Sequence, residues 1–128
     1  MTSHGEHIPP KGVLYRRVYW RFCKDGKIRP SAFKVYGPGG TGVSVDWGKY
    51  STAEEALGRA DRPMENGVAA LVAGEVRTVD ELDAVHDPVE GNLAHSQISH
   101  LDPTDDEAYT DLREQLCELA RWVIPCPS

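Results

Sequence analysis

The chain has 128 residues, of which 40% are hydrophobic and 27% charged, and its formal net charge is -6. This is the length of one domain with a core of its own, which excludes two large domains; apolar residues recurring from Val13 to Val123 exclude wholesale disorder. No apolar run reaches the roughly 18 residues of a membrane span, and three cysteines are too few for a disulfide-stapled miniprotein.

The net charge hides an asymmetry. Residues 1–62 carry 11 Lys/Arg against 6 Asp/Glu, and residues 63–128 carry 3 against 14. Either the two halves face each other within one fold, or a basic surface awaits an anionic partner. Residues 1–11 are polar, contain Pro9 and Pro10 and lack a secretion signal, so they read as a disordered tail before a single domain over 12–128, located in the cytoplasm. Cys23, Cys117 and Cys126 have no metal-like spacing; reduced thiols are expected, with a disulfide between two of them left open.

Val13 to Cys23 alternates and is rich in aromatic and β-branched residues, which predicts a strand. Asp25-Gly26 predicts a tight turn, and Ser31 to Tyr36 a second strand, together a hairpin. Gly37 to Gly42 holds four glycines in six residues, but no helix start follows, so a flexible connection is expected rather than a phosphate cradle. Gly42 to Trp47 predicts a strand with Val43, Val45 and Trp47 on one face and Ser44 and Asp46 on the other. Overlapping capping boxes, Ser51 with Glu54 and Thr52 with Glu55, open a short helix over about 52–60.

Val68 to Ala73 reads as a buried central strand. Thr78 to Asp83 suggests a single helical turn, Ala84 to Asp87 a strand stopped by Pro88, Glu90-Gly91-Asn92 a turn, and Ala94 to Leu101 either a strand or a short helix. Asp102, with Pro103 behind it, is expected to cap a C-terminal helix whose stripe of Tyr109, Leu112, Leu116, Leu119, Ala120 and Val123 faces the core until Pro125 ends it. The fold class is α+β: an antiparallel or mixed sheet of four to six strands with the C-terminal helix packed on one face.

Six short segments carry a resemblance: Leu14-Tyr15-Arg16-Arg17, Ser31-Ala32-Phe33-Lys34, Ser44-Val45-Asp46, His86-Asp87-Pro88, Asn92 through His95, and Trp122-Val123-Ile124-Pro125. In these the chain resembles a type of small bacterial protein. The resemblance implies a bacterial cytosolic protein and brings no activity with it.

Two clusters bear on function. On the first strand the even residues Leu14, Arg16, Val18, Trp20 and Phe22 form the apolar face, so Arg16 is expected to turn inward. There it must meet a carboxylate, with Asp46, Asp87 and Glu75 as candidates, or line a cavity that admits an anion. The odd face alternates Tyr15, Arg17, Tyr19 and Arg21, and Lys24 and Lys27 follow, a pattern suited to anions or to single-stranded nucleic acid.

The second cluster is His86, His95 and His100, with Asp87 and Asn92 among them. His86 and His95 could act as acid and base on a nucleotide or phosphodiester, with Arg16 stabilising the developing charge. The intervals of nine and five residues between these histidines match no standard metal pattern, so no metal or other cofactor is expected. Arg16 and Ser44 can also be laid over the arginine and serine with which some ADP-ribosyltransferases hold a dinucleotide, but only by analogy.

The favoured reading is a small binding, accessory or regulatory domain. It would engage a protein partner or an anionic ligand through Arg16, Arg17, Arg21, Lys24 and Lys27, without a membrane. The phosphodiester enzyme is the alternative, and nucleic-acid binding is the third reading. An exposed apolar patch around Trp20, Trp47 or Trp122 would mark a protein interface.

Overall fold

The computed structural model describes residues 5–35, 40, 42–79 and 81–127. Its described residues form an α+β fold with one six-stranded antiparallel sheet, a two-stranded ribbon and three α-helices. The strands are β1 (Val13–Tyr19), β2 (Cys23–Lys24), β3 (Lys27–Ile28), β4 (Val43–Trp47), β5 (Asn66–Val72), β6 (Asp83–His86), β7 (His95–Ser99) and β8 (Arg121–Ile124). The helices are α1 (Ala53–Gly58), α2 (Ala73–Val76) and α3 (Asp106–Leu119). The large sheet runs β6-β7-β4-β1-β5-β8, and β2 pairs with β3 in the ribbon.

Alternation places one face of the sheet in the core. Leu14 and Val18 of β1, Val43, Val45 and Trp47 of β4, Leu71 of β5 and Ile98 of β7 are all buried. Phe33, Leu101 and Leu116 join them from outside the sheet. Burying a side chain of this size contributes about 1.5–3 kcal/mol. Helix α3 lies over the 3-10 turn Pro30–Phe33, and the Tyr109 hydroxyl accepts the Val35 N–H at 2.8 Å. Helix α1 packs on β1 and β5. Its capping box is the Thr52–Glu55 pair, whereas Ser51 Oγ donates to the Thr52 carbonyl.

Several expectations are corrected. The first strand stops at Tyr19, and a 3-10 turn over Trp20–Phe22 leads into the ribbon. The Asp25-Gly26 turn is present, with φ of 53° and 75°, but residues 30–33 form a 3-10 turn rather than a strand because Pro30 opens it and buried Ala32 and Phe33 anchor it. The helical turn expected near Thr78 lies earlier, as α2. The C-terminal helix is capped by Asp105, not Asp102, and ends at Leu119. Val123 therefore belongs to β8, which pairs with β5 and which periodicity had merged into the helix. Most of the glycine-rich stretch, residues 37–39 and 41, lies outside the described residues.

The supposed tail is a second correction, because residues 5–11 pack onto the domain. Ile8 is only 1% exposed. Its carbonyl accepts Arg77 Nη1 at 2.7 Å, and the Pro10 carbonyl accepts the Gly74 N–H at 2.8 Å. One apolar side chain among polar neighbours suffices as an anchor because these carbonyls also find donors. Cys23 and Cys126, 103 residues apart, are joined in a disulfide, while Cys117 is a free thiol that burial pushes up to about 11. Among the described residues no helix is long and apolar enough to cross a membrane.

Candidate functional site

The face of the sheet opposite the core carries the polar residues. Register places Tyr15 of β1 opposite Asp46 of β4, and Asp46 opposite His95 of β7. Arg17, Ser44 and Gln97 follow on the same face by alternation. Helix α1 covers its β1–β5 side. The β4–β7–β6 side is open, with Ser44 and Val85 exposed.

Asp46 is the centre of this face and is only 1% exposed. Its Oδ2 accepts Nη1 of Arg17 and Nη1 of Arg59, both at 3.0 Å, and its Oδ1 accepts Asn92 Nδ2 at 2.9 Å. A buried carboxylate requires such partners. Two guanidinium groups against one carboxylate leave a surplus positive charge. Arg17 also donates to the Ala56 carbonyl, and Arg59 to Ser51 Oγ. Beside this network lies a cleft of about 510 Å³ lined by Arg17, Tyr19, Arg59, Asp61, Arg62 and Asn66. Arg62 forms an exposed pair with Glu65, at 3.4 Å.

Arg16 does turn to the core face, half-buried, and makes two main-chain contacts there. Nε donates to the Ala32 carbonyl at 2.9 Å and Nη1 to the Ser44 carbonyl at 2.8 Å. It thus ties the Pro30–Phe33 turn to β4 and is not brought to Asp46 or to either histidine's site. Of the carboxylates named for Arg16, Asp46 is held by Arg17. That pairing was within reach of the sequence: Asp46 lies opposite the apolar face of its strand, as Arg17 does on β1, so the two share a face. Arg59, at the C-terminal cap of α1, carried no such signal.

His86 and His95 are not brought together. His86 pairs with Ser96, which is adjacent to His95, so the two imidazoles leave the sheet on opposite sides. His86 is buried beside Trp47 and stacked on Tyr50. Its Nδ1 accepts the Glu6 N–H and its Nε2 donates to the Leu93 carbonyl. Both ring nitrogens are thereby engaged, which is the pattern of a structural histidine. His100 lines a separate cleft with His7, Arg77 and Asp83. In that cleft Arg77 donates to the Asp83 carboxylate at 2.8 Å and holds it below its ordinary range.

His95 faces the open side. Its Nδ1 lies 2.8 Å from the Asp87 carbonyl and 3.6 Å from Asp87 Oδ2, and its Nε2 lies 3.3 Å from Ser44 Oγ. Gln97 Nε2 donates to Asp87 Oδ2 at 3.1 Å. Arg17, Ser44, Asp46, Asp87, Asn92 and His95 are thus linked along one face.

The remaining cations are dispersed. Arg21 stacks over the exposed Trp20 ring, and Lys24 and Lys27 face each other across the ribbon; none of the three lines the arginine cleft. Trp20 is 43% exposed and shares a depression with Met64 and Pro127, whereas Trp47 is buried and Trp122 donates its indole N–H to the Gly26 carbonyl. No protein-family model, no curated protein and no solved structure matches the chain.

Proposed function

We propose that this domain is a binding module for a small anion, a phosphate- or carboxylate-bearing ligand, seated in the cleft of Arg17, Arg59 and Arg62. The observation that carries the reading is the double use of Asp46: one buried carboxylate oxygen serves two guanidinium groups, and these two with Arg62 line a cleft of ligand size that also holds Asp61. Guanidinium groups grip phosphate or carboxylate through paired N–H donors, and Asp46 holds these two in place before any ligand arrives. Of the cations proposed from the sequence, Arg17 keeps this role. Arg59 and Arg62 replace Arg16, Arg21, Lys24 and Lys27.

Calorimetric titration with inorganic pyrophosphate at low salt tests this. Saturable binding is expected, weakened at least tenfold in Arg59→Gln and Arg62→Gln and by added salt. The reading falls if pyrophosphate does not bind, or binds both variants as tightly as the parent. Binding of an oligonucleotide that depends on Lys24 and Lys27 but not on Arg59 would overturn it in favour of a nucleic-acid surface on the ribbon.

A further inference from the structure

Apart from the arginine cleft, the open face holds a second arrangement, and we infer from it that Ser44 is a nucleophile activated by His95, giving the domain the chemistry of a carboxylic-ester hydrolase. The argument begins with the imidazole tautomer. Nδ1 of His95 faces the Asp87 carbonyl oxygen at 2.8 Å, an atom that can only accept, so Nδ1 carries the proton. Nε2 is then left with its lone pair toward Ser44 Oγ at 3.3 Å, which is the state a general base requires. Asp87 acts as a positioning residue. Its carbonyl fixes the ring, and its carboxylate, held by Gln97, stands 3.6 Å from the same nitrogen, where it favours the imidazolium that forms during reaction.

Placement fits the role. Ser44 is exposed on the open part of the sheet, while the His95 side chain is mostly covered, so an ester can reach the hydroxyl and the base stays oriented. Both lie on strands, which hold a site more firmly than a loop does. Arg17 is the next residue on this face of β1 beyond the Tyr15–Asp46 pair, in the direction in which Ser44 follows on β4. Its guanidinium is held by Asp46 and the Ala56 carbonyl, clear of the Ser44 hydroxyl's approach from His95.

The reaction balances without a cofactor. The Ser44 O–H proton passes to His95 Nε2 as Oγ bonds to the ester carbonyl carbon. The bond from that carbon to the alkoxy oxygen breaks, and the proton on Nε2 goes to the departing alcohol. Water then repeats the sequence on the acyl-serine, returning the Ser44 hydroxyl and releasing the carboxylic acid.

The test is covalent labelling of the intact protein with a fluorophosphonate, located by peptide mass spectrometry, alongside hydrolysis of p-nitrophenyl acetate. The label should sit on Ser44 and be absent in Ser44→Ala. Labelling should slow at least about 100-fold in His95→Gln. Circular dichroism of each variant separates loss of the base from loss of the fold. No label on Ser44 in the folded protein, or a rate unchanged in folded His95→Gln, would overturn the inference. Pyrophosphate titration of the same samples reads the arginine cleft separately, so either reading can fail alone.

Discussion

Replacing Asp46 by asparagine should destabilise the fold by about 3 kcal/mol, and the amount can be built from its contacts. The change keeps the shape and removes the charge. Two hydrogen bonds, from Arg17 and Arg59, lose their anionic acceptor. A bond to a charged group contributes about 1.5–3 kcal/mol against about 0.5–1.5 for a neutral one, so each loses about 1 kcal/mol. The third contact turns repulsive. With its amide oxygen left to the arginines, the substituted side chain would present an NH2 group to Asn92 Nδ2, and Asn92 cannot simply flip because its Oδ1 accepts the Ala94 N–H. That mismatch adds about 1–3 kcal/mol. Both arginine side chains are 29% exposed and regain some hydration, which brings the total back to about 3 kcal/mol. In urea, with a slope near roughly 1.5 kcal/mol per molar, the midpoint should fall by about 2 M with the slope unchanged. A midpoint within about 0.5 M of the parent would refute the account of Asp46 as the keystone of this face.

Other consequences follow from the same geometry. Arg77 binds the Ile8 carbonyl, the Ala84 carbonyl and the Asp83 carboxylate, so Arg77→Met should cost about 3 kcal/mol and speed amide exchange of residues 5–11; unchanged protection there would refute the anchoring. Because Arg77 holds Asp83 below its ordinary value, this pair's contribution is present above the ordinary carboxylate range and is lost as pH falls through the lowered value. The stability difference between the parent and Arg77→Met should therefore narrow at low pH by this pair's share, while the share of the two carbonyl bonds persists. Cys117, with its thiol raised to about 11, should resist iodoacetamide at about pH 8 in the native protein and react on unfolding. Removing the Cys23–Cys126 link as a double serine variant frees a span of 103 residues and should cost up to about 4.7 kcal/mol; equal urea midpoints with and without reductant would contradict that.

The parts of this protein legible from sequence are those set by neighbours a few residues away. Alternation assigned Val43, Val45 and Trp47 to the core and Leu14 and Val18 with them, because side-chain period follows from strand geometry alone. Asp25-Gly26 and the Thr52–Glu55 box were legible because a turn and a cap are closed by residues within one motif. The apolar stripe of α3 was legible for the same reason, although its end was not. β8 is too short to break the helical period, and it is held as a strand by β5, far earlier in the chain.

Partner choice across the fold depended on tertiary structure. Arg16 and Arg17 are adjacent in the chain and chemically identical, yet one ties main-chain carbonyls on the core side and the other holds Asp46 on the opposite face. His86 and His95, close in sequence and both flanked by polar residues, were separated by a register that local composition does not encode. Ser44 meets His95 only because β4 lies between β7 and β1. Local pattern fixes which side of a strand a residue occupies. The order and register of strands are fixed by the packing of the whole chain, and these decide which side chains share a site.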